Sequence, residues 1–142
     1  MDTGGQGEMI VVVDTNVVVE SLLLPNGQIS NQIKANILIA PDFLLLELGN
    51  VLRKYHHFAQ LDAHDVFEYI AITRDIIRYW IPDKFLLERA LELSIDFNHA
   101  IYDCLFLSLA EFYEVPIWTL DEKLRLKARS LELSLMDDPG KG

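Results

Sequence analysis

The hydrophobic pattern opens with MIVVV (9–13), an unbroken apolar run that stops at the polar triplet Asp14-Thr15-Asn16. A short, β-branched, continuous run bounded in this way predicts a buried strand. Beyond Asn16 the pattern predicts a helix to about Leu24, where Pro25-Asn26-Gly27 breaks it. A second helix is expected from Gln28 to Asn36, and ILIAP (37–41) reads as a short strand. Asp42 is placed to cap the next helix, in which Leu44, Leu48, Val51, Leu52 and Tyr55 recur at helical spacing. Asp62 and Asp65 open a further helix over 62–80, with Val66, Ile70, Thr73, Ile77 and Trp80 along one side. Asp83 is expected to cap a helix over 84–97, and Asn98 one over 99–114. PIWTL (116–120) reads as a strand. Residues 121–133 read as a helix with basic residues toward its end, which suits the helix dipole, and 133–136 as a last short strand. Residues 1–8, with three glycines, are expected to be a flexible extension, 9–136 one domain, and 137–142 a flexible tail.

Strands alternating with helices imply an α/β protein with a parallel sheet and right-handed crossovers. Ligand sites in such sheets lie beyond the carboxyl ends of the strands. Asp14 ends the first strand, and Thr119 and Asp121 lie where PIWTL ends, so all three are candidates for one rim.

Composition narrows the class. The 142 residues are 51% hydrophobic and 24% charged, enough for one domain with a real core. No apolar run reaches the roughly 18–20 residues of a membrane span. MDTGGQGEM carries no basic region and no apolar signal core, which argues against secretion. Cys104 is the single cysteine, which fits a reducing cytoplasm. The formal charge of −10 argues against a bulk basic nucleic-acid binder. It leaves room for an enzyme whose acids hold cations that meet phosphate.

Asp14 is one of four acids in notable settings. Glu47 interrupts FLLLELGNVL, Asp103 interrupts AIYDCLFLSLA, and Asp121 follows the strand in WTLD. A buried carboxylate must be paired, neutralised or metal-bound. Taken singly, each is explained as well by a helix cap or an ion pair with Arg53, Arg125 or Lys123 as by a metal, and Asp121 better by a cap. Taken together they are harder to pair, because Lys34 is the only base between Met1 and Arg53. One cluster around Mg²⁺ or Mn²⁺, which prefer carboxylate and water oxygens, answers all four. Such a site activates water and neutralises a transferring phosphoryl group.

Other chemistries find no support. His56, His57, His64 and His99 form no HExxH or zinc spacing and read as surface or loop residues. Ser21, Ser94 and Ser108 lack a nucleophile elbow, and no GxGxxG or P-loop is present. Phe67, Tyr69, Tyr79 and Trp80 read as core, and RLKARS as a solvated helix end.

DTN after the first strand, ELGNVLRK and YDCLFLSLA in helices, and TLDEKL after a later strand together resemble a PIN domain. The similarity spans roughly residues 9–136 and is strongest to the VapC toxins of toxin–antitoxin pairs. It implies a three-layer α/β/α fold with a central parallel sheet of four to five strands and the first strand inside. It implies a metal-dependent endoribonuclease using Mg²⁺ or Mn²⁺. Asp14, Glu47, Asp103 and Asp121 would be the metal ligands and catalytic acids, with Asn16 and Thr119 supporting them by hydrogen bonds. It also implies an RNA substrate, a homodimer and a VapB-like antitoxin, often DNA-binding, whose tail occupies the active-site groove. Cys104 stands where the family commonly has alanine. The acidic balance leaves the RNA track open; Arg53, Lys54, Arg125, Lys127 and Arg129 on one face would supply it. The rival readings are a haloacid-dehalogenase-type phosphatase, whose D-x-D becomes D-x-N here, a phospho-receiver, and a non-catalytic PIN-like binding module.

Overall fold

The computed structural model describes residues 8–136. Apart from Glu8, the expected extension over 1–8 and the whole of the expected tail over 137–142 lie outside the described residues. The elements run β1 (Ile10–Val13), α1 (Thr15–Leu23), α2 (Gln28–Ala35), β2 (Ile37–Pro41), α3 (Phe43–Ala59) and α4 (Ala63–Ile76). They continue with β3 (Ile77–Ile81), α5 (Asp83–Phe97), α6 (Ile101–Tyr113), β4 (Ile117–Trp118) and α7 (Glu122–Ser130).

The four strands form one parallel sheet in the order β3-β2-β1-β4, flanked by helices. The α/β class, the parallel sheet and the interior position of the first strand agree with expectation. Val11, Val12 and Val13 are all 0% exposed, because a parallel strand with helices on both faces has no wet side. Leu135 adds a single parallel bridge to Ile117 in place of the short strand expected over 133–136. Among the described residues no helix is long and apolar enough to cross a membrane.

Several local expectations are corrected. The helix expected over 62–80 stops at Ile76, and IRYWI becomes edge strand β3. Ile77 and Trp80 suit a helix face by spacing. The same β-branched and aromatic residues also suit a strand, and pairing of Ile39 with Tyr79, Ala40 with Trp80 and Pro41 with Ile81 decides between them. Arg78 and Tyr79 are exposed there, and Phe67 on α4 is more exposed still, so neither Tyr79 nor Phe67 is core.

Asp42 does not cap α3. It is itself helical in conformation, and the Phe43 N–H donates to Asp83 Oδ1 at 3.0 Å instead. Asp83 is thus the first residue of α5 and caps a different helix. Burial raises its pKa from the ordinary value, partly offset by that hydrogen bond. Asn98 closes α5 rather than opening α6. Its φ of 50° is the left-handed conformation that Asn tolerates at helix C-termini. α6 consequently starts at Ile101, behind Ala100.

Candidate active site

The polar triplet after β1 does the first work of assembly. α1 begins at Thr15, so Asp14 is its N-cap, with Oδ1 accepting from the Thr15 N–H at 2.7 Å. β1 pairs with β4, and the Asp14 N–H donates to Trp118 O at 2.9 Å. That register brings Thr119 beside Asp14. Thr119 Oγ1 donates to Asp14 Oδ2 at 2.7 Å and accepts from the Asp121 N–H at 3.1 Å. Asn16 Nδ2 donates to Asp14 Oδ2 (3.2 Å) and to Thr119 Oγ1 (3.3 Å), while its Oδ1 accepts from the Leu120 N–H at 3.0 Å. Asn16 and Thr119 therefore join the ends of the two strands around Asp14. Asp121 caps α7 through the Lys123 N–H at 2.9 Å.

Glu47 projects from the middle of α3 and accepts from Thr15 Oγ1 at 2.5 Å. Asp103 lies in the first turn of α6, where an acid suits the positive end of the helix, and its Oδ2 is 2.6 Å from His99 Nε2. Asp14, Glu47, Asp103 and Asp121 all line one cavity of about 290 Å³, together with Thr15, Asn16, Val19, Glu20, Leu23, Val51 and Tyr55. The four acids predicted from sequence share this cavity, and Asn16 lines it with them. Thr119 is 0% exposed and acts from behind.

The electrostatics follow from burial. Asp14 is 5% exposed, and its pKa is pushed up to about 7, first by desolvation and then by the charges of Glu47 and Asp103. The hydrogen bonds from Thr119 and Thr15 oppose that rise. The pKa of Glu47 is raised by burial and by Asp103, against the hydrogen bond from Thr15. Among the described residues no Lys or Arg lies within ion-pair distance of Asp14, Glu47, Asp103 or Asp121. Arg125 donates to Thr119 O and leans on Glu122, and Arg53 bonds Asn50. The ion-pair explanation of the acids is therefore not what the fold provides.

Among the described residues, no three His, Cys, Asp or Glu side chains are drawn close enough to enclose one ion. Each acid is instead held by a protein donor. The set nevertheless fits a hard divalent cation in chemistry and charge. Glu47, Asp103 and Asp121 each have one carboxylate oxygen engaged, leaving Oε2, Oδ1 and Oδ2 without a hydrogen bond among the described residues. Burial first, and mutual repulsion after it, raises the pKa values of Asp14 and Glu47, and a bound cation would relieve the repulsion.

Two contributors were missed from sequence. Thr15 sits inside the DTN triplet that marked Asp14, and only the packing of α1 beside α3 shows that it holds Glu47. His99 is on a loop, as read, but its side chain is only 17% exposed and turns to Asp103. Its position four residues before Asp103 was the available signal.

The family model of the PIN domain matches residues 11–130. The chain belongs to the PIN domain family. PIN domains are generally nucleases and typically use a divalent metal. Solved structures confirm this PIN fold at low sequence identity. PAE2754 from Pyrobaculum aerophilum is 19% identical with a TM-score of 0.69, over 89% of this chain and 90% of that one. VapBC2 from Rickettsia felis, bound to a DNA fragment from their promoter, is 19% identical with a TM-score of 0.63. That match covers 90% of this chain and 98% of the other. VapBC-1 from nontypeable Haemophilus influenzae is 14% identical with a TM-score of 0.62, over 91% and 98%. Among curated proteins nothing matches this PIN domain.

Proposed function

We propose that this PIN domain is a metal-dependent endoribonuclease, the toxin of a VapBC-type pair, hydrolysing RNA phosphodiester bonds. The observation that carries the reading is the convergence of four acids, from the turns after β1 and β4 and from α3 and α6, on one cavity, with no Lys or Arg among the described residues to neutralise them. Membership of a family of general nucleases and likeness to VapBC structures support it.

Asp14, Glu47, Asp103 and Asp121 would hold Mg²⁺ or Mn²⁺. When bound, such a cation lowers the pKa of water, orients it, and offsets charge on the phosphoryl group. Asp14 is the fixed member, locked by Thr15, Asn16 and Thr119. Thr15 steadies Glu47, and Asp121 keeps one oxygen toward the cavity while its other caps α7. One of the four acids would also take a proton from the attacking water. Val19, Leu23, Val51 and Tyr55 form the less polar wall of the cavity.

The same reading assigns a VapB-like antitoxin, a homodimer and a cytoplasmic location, the last on the single buried thiol of Cys104. The test is cleavage of a structured RNA with Mn²⁺. The unaltered protein is expected to cut, EDTA to abolish cutting, and Asp14→Asn or Asp103→Asn to reduce the rate by orders of magnitude. Full activity in either variant would reject the site.

A further inference from the structure

We infer that His99 is a positioning residue for Asp103, fixing which carboxylate oxygen is presented to the cation; this rests on the metal reading above. In a capping box a Glu or Gln at the third position of a helix reaches back to the backbone N–H of the cap residue. Asp103 occupies that position in α6, behind the cap Ala100, yet its carboxylate turns to the ring of His99. Nε2 lies 2.6 Å from Oδ2. A carboxylate oxygen accepts, so Nε2 carries the hydrogen.

The ring is not free to wander. α5 closes at Asn98 in the left-handed conformation, which turns the chain so that His99 follows directly. The His99 N–H donates to Ser94 O at 3.1 Å, and Ser94 Oγ donates to His99 O at 2.5 Å. Both backbone polar groups of His99 are thus tied to one residue of the last turn of α5. With its side chain 17% exposed against 29% for Asp103, the imidazole sits behind the carboxylate rather than beyond it in solvent. One oxygen is committed to the ring, and Oδ1 is left as the single ligand atom. Asp103 thereby meets a cation in one orientation, without first giving up the freedom of a rotating carboxylate. Hydrogen-bonded partners of metal ligands act in this way elsewhere, and losing one costs about 10- to 100-fold in affinity.

The experiment measures Mn²⁺ binding to the full chain by calorimetry, without RNA, for the unaltered protein, Asp14→Asn, Asp103→Asn, His99→Ala, His99→Gln and the double variant His99→Ala with Asp103→Asn. His99→Ala is expected to bind Mn²⁺ about 10- to 100-fold more weakly. His99→Gln, whose amide nitrogen can reach the same oxygen, is expected to recover much of that loss. In the double variant the effects should be far less than multiplicative, since both act through one carboxylate. Thermal melting of each variant tells weaker binding from lost folding, and recovery by Gln keeps the test sharp if the Ala variant is poorly folded. Unchanged or tighter binding in His99→Ala, with Asp14→Asn still impaired, would overturn the role of His99 and leave the metal site standing. No Mn²⁺ uptake by the unaltered protein would overturn both.

Discussion

Replacing Asp14 by Asn should stabilise the metal-free protein at alkaline pH and, on the proposed function, abolish RNA cleavage. The pKa of Asp14 rises from 3.8 to about 7 on folding, mainly through desolvation. A displacement of that size is worth about 4 kcal/mol, at ~1.4 kcal/mol for each pH unit. Its sign is set by which state holds the proton. Between pH 3.8 and about 7 the folded protein keeps a proton that the unfolded chain releases. The stability from that retained proton is complete below 3.8 and is lost as pH rises through about 7. Above that pH the native state carries a buried charge that Asn does not have. Against this, Asn presents an amide where Oδ2 accepted from Asn16 and Thr119, and Asn16 cannot flip because its Oδ1 holds the Leu120 N–H. One opposed donor pair costs about 1 kcal/mol. The variant should therefore be about 3 kcal/mol more stable at pH 8.5 and equal to or slightly less stable than the parent at pH 4. Urea unfolding in EDTA, followed by fluorescence of the fully buried Trp118, measures this. With a slope of ~1–3 kcal/mol/M, the midpoint at pH 8.5 should move up by about 1–3 M. Adding Mn²⁺ should erase the difference by stabilising only the parent. A parent as stable as the variant at pH 8.5, or a difference that does not change with pH, would refute the burial argument.

Three further outcomes are expected from the same titrations. Thr119→Val removes a hydroxyl that bonds Asp14, Asn16 and the Asp121 N–H, and should cost about 1.5–3 kcal/mol. That cost should be larger at pH 8.5 than at pH 4, because the lost bond favours the charged form of Asp14. Asp83→Ala should destabilise by about 1 kcal/mol by uncapping Phe43, and Asp83→Asn by much less, since an amide oxygen can still accept. Leu48→Ala, one residue after Glu47 and 0% exposed, should cost about 2–5 kcal/mol. Its effect on Mn²⁺ binding in the folded fraction should be small if Glu47 is held by Thr15 and not by core packing alone.

Much of the architecture was legible from local pattern. The valines of β1 cannot be satisfied except between two covered faces, and the leucines of α3 recur with the period of a helix. The acids were legible for a related reason. Glu47 and Asp103 break runs that are otherwise apolar, and a charge there needs a partner wherever the chain goes. Capping was less legible, because a cap is a contact rather than a residue type. Asp42 is in the right place in sequence and makes no cap, whereas Asp83, forty residues beyond Phe43, makes it. Asn98 carries the right side chain for a helix start and serves a helix end, because its backbone tolerates a positive φ.

The sequence by itself therefore determined the class of fold, the four acids and their company, since burial of apolar surface and the cost of an unpaired charge depend on composition and period. Tertiary structure alone decided that IRYWI pairs as an edge strand, that Thr15 and Thr119 serve Glu47 and Asp14, and that His99 reaches Asp103. Those outcomes depend on strand register and helix approach, which arise only when segments far apart in the chain meet.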